Sequence, residues 1–260
     1  GLVTPTVYLT RENEQDVLIS SMAQGESYAA INKLSVFRQA TETLLKDHFR
    51  MWGISSNLVK EEPERFSGIK ITDPLAEASD TSRALHKAIT EYEIPNSLLK
   101  VMRGVSTALS RTGNTEIDEA TPLFFQHGDE IAGNFFYNPG RGEIINIDPS
   151  PVLSTRMERG LNKLLGGSLL FNFPIQENGM PFNQEKTDIL LELVSKYDNL
   201  VNDYYDASGK QSVLKQIVFI NLARVFFGIY NKENSAYFND KSKRRFLDLA
   251  MHVHDRLGIK

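Results

Sequence analysis

The stretch that most constrains this chain is 124–151, FFQHGDEIAGNFFYNPGRGEIINIDPSP. His127, Gly128 and Asp129 follow a short apolar run, and Asn134 comes five residues after Asp129, directly behind Gly133. Two apolar segments flank Pro139 and Gly140, and the second ends at Ile147 and Asp148. Taken singly, HGD is three common residues and NPGRGE is a hairpin turn between a Phe/Tyr-rich and an Ile-rich strand. Taken together they give a strand–loop–strand unit with one carboxylate in the loop, a carboxamide behind it and a second carboxylate at the exit. Such a set can serve phosphoryl transfer. One carboxylate orients an attacking hydroxyl and accepts its proton, while an amide oxygen and another carboxylate hold Mg²⁺ against phosphates.

The stretch resembles the catalytic loop and metal-binding segment of the aminoglycoside phosphotransferase and choline kinase-like group, whose general form is H-G-D-x-x-x-x-N, a short hairpin, then I-D. The IDPSP ending is most similar to the fructosamine kinase and streptomycin kinase branches. The resemblance implies an α+β, protein kinase-like fold with a mostly helical C-terminal lobe, and ATP and Mg²⁺ as cofactors. It implies Asp129 as catalytic base, Asn134 and Asp148 as Mg²⁺ ligands, and His127 as a brace for the loop rather than a reacting group. Residues 17–27, VLISSMAQGES, resemble the strand that enters the family's hinge. Ser21, Met22 and Ala23 would then present backbone groups to adenine, although Ser20 and Ser21 stand where the family has Met-Glu. On this reading 1–27 is a remnant of the β-rich N-terminal lobe with its hinge, and 28–260 is the helical lobe carrying the catalytic loop and metal hairpin.

The chain departs from the family pattern in two places. Only about 20 residues precede the hinge, with no Gly-rich loop and no strand lysine; Lys33 and Lys46 follow it in a helical pattern. The region where the family carries a further Asp reads Arg156, Glu158, Arg159. The N-lobe is therefore absent, supplied by another polypeptide, or degenerate. The implied function is transfer of the γ-phosphate of ATP to a hydroxyl of a small molecule. The alternative is a catalytically degenerate kinase-like scaffold that binds a protein partner. The three retained residues Asp129, Asn134 and Asp148 favour the first.

Length and composition set bounds on both readings. The 260 residues, 41% hydrophobic and 24% charged, allow one large domain or two small ones with a sizeable core. A net charge of -4 argues against a nucleic-acid partner and admits a cationic acceptor. The absence of Cys excludes a disulfide framework, a thiol nucleophile and a Cys-based zinc site. No apolar run reaches the ~18–20 residues of a membrane helix. The chain begins at Gly1 without an initiator Met or a charged-then-apolar leader, as a trimmed or processed product would. A cytoplasmic location is the expectation.

The remaining segments read mainly as helices. Residues 3–8 are extended, 11–16 a charged turn and 17–20 a short strand. Ile31, Leu34, Phe37, Leu44 and Leu45 predict one or two amphipathic helices over 26–50, with His48 in the last turn and Trp52 as a packing anchor just beyond. Residues 58–75 read as a loop punctuated by Pro63 and Pro74. Helices follow over 81–92, with His86 at its surface, and over 98–113. The acidic segment 114–122 is a solvated turn or lines the acceptor site. Helices are also expected in the middle of 152–174 and over 186–204, 211–231 and 241–256. His252 and His254 stand about 200° apart on a helix and cannot share a metal from it. Walker-type Gly-Lys and G-x-S-x-G motifs are both missing from the sequence.

Overall fold

Phe37, Thr41, Leu44, Leu45, His48, Trp52, Ser55 and Val59 recur three and four residues apart, which is the signature of one buried face on one helix. In the computed structural model these residues are all buried, on a single helix α1 (Leu34–Glu61) of 28 residues. The model describes residues 2–3, 7–12, 15–20, 25–72, 83, 86, 90, 96, 99–100, 103, 122–155, 160, 164–165, 183–204, 215 and 240–258; for 2–20, 204 and 240–247 this is backbone alone. The helix runs past residue 50, its expected end, through Gly53, Ser55 and Ser56, residues of modest helix preference. Tertiary packing overrides that local preference. Gly53 is exposed, while Ser55 and Ser56 turn their hydroxyls back to the carbonyls of Trp52 and Gly53. His48 consequently lies in mid-helix, not at a C-terminus, and interaction with the helix dipole does not explain it.

Trp52 is 0% exposed and meets His48 and Phe49 edge-on, with ring centroids 5.8 and 5.0 Å away. Burying a side chain of this size contributes about 2–3 kcal/mol. Lys60 in the last turn of α1 suits the helix dipole, and Pro63 opens a 3₁₀ turn at Pro63–Phe66, where a missing N–H costs nothing.

The strands form three small sheets. β1 (Leu2–Val3) pairs in parallel with β8 (Glu143–Asn146), which pairs antiparallel with β7 (Phe135–Asn138), which pairs antiparallel with β4 (Glu26–Ser27). The first and last strands of 1–27 thus bracket the hairpin of the 124–151 stretch. β2 (Val7–Glu12) and β3 (Gln15–Ser20) form a hairpin of their own. The charged tract 11–16 is therefore mostly strand rather than turn: the register sets Arg11 opposite Asp16 and Glu12 opposite Gln15. β9 (Val152–Ser154), read as the run-up to a helix, instead lies between β5 (Lys70–Ile71) and β6 (Phe124–Gln126).

Helices α2 (Gln184–Tyr204) and α3 (Asp240–Leu257) match the expected segments within two residues. Asn183 caps α2, its Oδ1 accepting the Lys186 N–H at 3.0 Å. α1 packs on α2 along one side and on β6 and β8 along another, and α3 packs on α2. His252 bonds Asp188 at 2.8 Å while His254 bonds its neighbour Asp255 at 3.0 Å, so the two imidazoles serve different partners. His86 is exposed, as expected. Most of 81–92, 98–113, 114–122, 156–182 and 211–231 lies outside the described residues, as does Pro74. No helix among the described residues is long and apolar enough to cross a membrane.

A Cβ at Gly53 meets nothing within 4 Å. Gly53→Ala should therefore raise the unfolding free energy by about 0.5–1 kcal/mol, through the intrinsic helix preference of Ala. Urea titration checks this. A loss of stability would mean that the helix does not run through residue 53.

Candidate active site

Strand β6 delivers the chain to His127, and the hairpin β7–β8 returns it to Asp148. The two ends are joined by backbone hydrogen bonds. The Ser150 N–H donates to the His127 carbonyl at 2.9 Å, and the Ile147 N–H to the Asn134 carbonyl at 2.9 Å. Gly128 stands where this approach is closest. Its φ is +86°, and a Cβ there would run into the Ser150 carbonyl, so both the conformation and the space demand glycine.

His127 is 5% exposed and both its nitrogens bond backbone. Nε2 lies 2.8 Å from the Ile147 carbonyl oxygen, which can only accept, so Nε2 carries the proton. Nδ1 accepts the Asp129 N–H at 3.3 Å. This fixes the tautomer and engages both ring nitrogens with backbone.

Asn134 is 8% exposed. Its Nδ2 donates to the Asp129 carbonyl oxygen and to Asp129 Oδ2, both at 3.0 Å. Both partners are acceptors, so the orientation of the amide is dictated by chemistry. Oδ1 lies on the other side of the carboxamide. Asp129 is half-buried, with its carboxylate held by Asn134 and its N–H by His127.

Asp148 is exposed and has φ +52°, a conformation that Asp tolerates better than most side chains. Its predecessor Ile147 is held on both sides, at N–H by Asn134 and at C=O by His127. The loop and the hairpin exit are thus one hydrogen-bonded unit. It brings together His127, Asp129, Asn134 and the backbone leading into Asp148. Ser21, Met22 and Ala23, expected to form the hinge, lie outside the described residues. Among the described residues, no three His, Cys, Asp or Glu side chains gather as a metal site.

Two buried groups lie behind the loop: Glu130, which the sequence does not single out, and His48, expected at a helix end. Glu130 is buried, and its Oε1 accepts the Gly128 N–H at 2.8 Å. A second carboxylate beside Asp129 was the one available signal. His48 lies on α1 with Nδ1 2.9 Å from the Leu44 carbonyl oxygen, and its ring meets Phe135, which also contacts His127. Burial holds the His48 pKa below the usual imidazole range. The Leu44 carbonyl and the charges of Glu130 and Asp47 oppose that shift, while His127 reinforces it.

No protein-family model matches the chain, and no curated protein matches it. A solved structure does. The chain is similar to a protein from Ralstonia eutropha JMP134 provisionally named an aminoglycoside phosphotransferase. The two share 11% identity at a TM-score of 0.49, over 100% of this chain and 79% of that one.

Two outcomes follow from this geometry. Gly128→Ala should destabilise the protein by more than about 2 kcal/mol, from left-handed strain plus the collision with Ser150, whereas Gly133→Ala should be tolerated because its Cβ meets nothing within 4 Å. Thermal unfolding of the two variants, five residues apart on one loop, separates the cases. The second concerns pH. A folded-state pKa below the unfolded one means that the unfolded chain binds protons first as pH falls. The contribution of His48 is complete above about pH 6.5 and is lost progressively below it. Stability measured by urea between about pH 7.5 and 5.5 should fall less steeply in His48→Gln than in the unaltered chain.

Proposed function

We propose that this chain is an ATP- and Mg²⁺-dependent phosphotransferase that moves the γ-phosphate to a hydroxyl of a small molecule. The observation that carries the reading is the Asn134 carboxamide. Its Nδ2 grips Asp129 at both the backbone carbonyl and Oδ2, while its own backbone carbonyl holds Ile147, the residue before Asp148. Asp129, Asn134 and the backbone leading into Asp148 belong to one hydrogen-bonded unit, which supports reading them as base, neutral oxygen donor and second carboxylate. Preorganisation of this kind supports phosphoryl transfer, where catalysis is mostly positioning and charge stabilisation.

Asp129 would orient the acceptor hydroxyl and take its proton. The Asn134 bond to Oδ2 fixes the rotation of the carboxylate, so the proton acceptor needs no search. Asn134 Oδ1 and the exposed Asp148 carboxylate are oxygen donors and suit a hard cation. Two protein ligands are what Mg²⁺ commonly takes when phosphates supply the rest. When bound, Mg²⁺ would neutralise charge on the phosphates. His127 would hold the Asp148 segment against the loop. The hinge at Ser21, Met22 and Ala23 would receive adenine. The acidic segment 114–122 is the candidate lining for a cationic acceptor, in keeping with the net charge of -4.

The test is calorimetric titration of ATP with and without Mg²⁺, on the full chain and on Asp148→Ala and Asp129→Ala. Asp148→Ala should lose the Mg²⁺-dependent part of ATP affinity. Asp129→Ala should keep that affinity and lose at least about 100-fold in ADP release with a panel of small alcohols. Equal ATP affinity with and without Mg²⁺ in the unaltered chain overturns the reading and turns attention to a scaffold role.

A further inference from the structure

We infer that Glu130 is a positioning residue that sets Asp129 through the amide of Gly128, a role that rests on the phosphotransferase reading above. Glu130 is 1% exposed. Burying a carboxyl group is costly unless its oxygens find donors. Oε1 finds one, the Gly128 N–H at 2.8 Å, while Oε2 has no hydrogen-bond partner among the described residues. The side chain is thus kept in the interior for one bond, and that bond is to the catalytic loop.

A second position makes room for it. Gly160 is buried in helical backbone, where glycine costs about 1 kcal/mol relative to alanine. Its φ is not left-handed, so conformation does not demand glycine. Space does: a Cβ at 160 would lie 2.5 Å from Glu130 Oε1 and 2.8 Å from Cδ. The glycine at 160 and the carboxyl group of Glu130 fit one another.

The consequence falls on Asp129. The peptide group before Gly128 is held at its N–H by Glu130 and at its C=O by Ser150, and the one before Asp129 at its N–H by His127 Nδ1. The far end of the side chain is fixed by Asn134. Without Glu130, Gly128 keeps its left-handed conformation but loses the acceptor that aims its N–H. The peptide group between His127 and Gly128 then keeps its Ser150 bond but loses the one that sets its N–H, on the path leading into Asp129. Loss of that aim should lower turnover and leave the hold on nucleotide intact, because Glu130 touches neither Asn134 nor Asp148 by any hydrogen bond among the described residues.

Three variants of the full chain test this: Glu130→Leu, which removes the acceptor; Glu130→Gln, which keeps it; and Gly160→Ala, which displaces the carboxyl group without removing it. Two readouts are taken, amide hydrogen exchange at Gly128 and steady-state hydrolysis of Mg–ATP with water as acceptor. Glu130→Leu and Gly160→Ala should each speed Gly128 exchange about tenfold, with α2 amides unchanged, and lower kcat about tenfold with KM for Mg–ATP within about twofold. Glu130→Gln should restore most of both. Unchanged Gly128 exchange in Glu130→Leu, or a Gln variant as impaired as Leu, overturns the inference. Should the Leu variant fail to fold, Gly160→Ala decides on the same terms. An unaltered chain that neither binds nor hydrolyses Mg–ATP overturns the phosphotransferase reading and the positioning role together. In that case the exchange data still establish or refute the Glu130 bond itself.

Discussion

The candidate site depends on the two hydrogen bonds that hold the peptide groups of Ile147. Its N–H is bound by the Asn134 carbonyl and its C=O by His127 Nε2–H. The β7–β8 ladder ends at the pair Phe135–Asn146, and the Ile147–Asn134 bond carries the same register one position further, whereas His127 lies outside it. The register therefore reaches the Ile147 N–H, and the loop takes over at its C=O. This hand-over lets the chain leave the sheet at Asp148 with a left-handed φ while its backbone remains tied down. A ladder continued through Asp148 would have directed it along the sheet instead of out of it.

That arrangement needs support from behind, and the support is polar as well as apolar. Phe135 lies between the rings of His127 and His48, at 5.4 and 5.9 Å. His48 uses Nδ1 on its own helix, and Glu130 uses Oε1 on Gly128. A wholly apolar backing would also fill the space, but it could not aim N–H groups. In a medium of low effective dielectric each of these bonds is stronger and more directional than at the surface, and each is costly to leave unmade. The protein thus places hydrogen-bonding groups where loop geometry matters and keeps Phe37, Leu44, Leu45 and Trp52 for the remainder of the α1 face.

The loop and hairpin were legible in the sequence because their contacts are local: His127, Asp129, Asn134 and Asp148 lie within 22 residues, and turn chemistry at Pro139–Gly140 fixes the return. The errors have equally physical origins. α1 extends beyond its expected end at residue 50 because the stripe of buried residues continues through Trp52, Ser55 and Val59. β9 was missed because three residues carry no readable period, and its partners lie 26 or more positions away in β6 and 81 or more in β5. β1 was legible as extended chain, yet its parallel pairing with β8 spans about 140 residues and leaves no local trace. Glu130 was passed over because a charged residue in a loop ordinarily reads as solvated; only its burial reveals otherwise.

α1 links the helical part of the chain to the site. On one side Phe49 stacks on Tyr197 of α2 at 5.3 Å, and Arg38–Glu192 and Lys196–Glu42 pair at 2.7 and 2.8 Å. Those charges are largely exposed and contribute little free energy each; they set the register of two helices whose association comes from buried side chains. On the other side Ser55 accepts the Phe125 N–H at 3.3 Å, and His48 lies against Phe135. The strand entering the loop and the strand leaving it thus rest on the same helix, whose buried face runs from Phe37 to Val59. A helix that ended near residue 50 would support Phe135 but not Phe125, and the loop would be anchored at one end. The full length of α1, through a glycine that suggests a break, is what lets one helix hold both ends of the candidate-site loop.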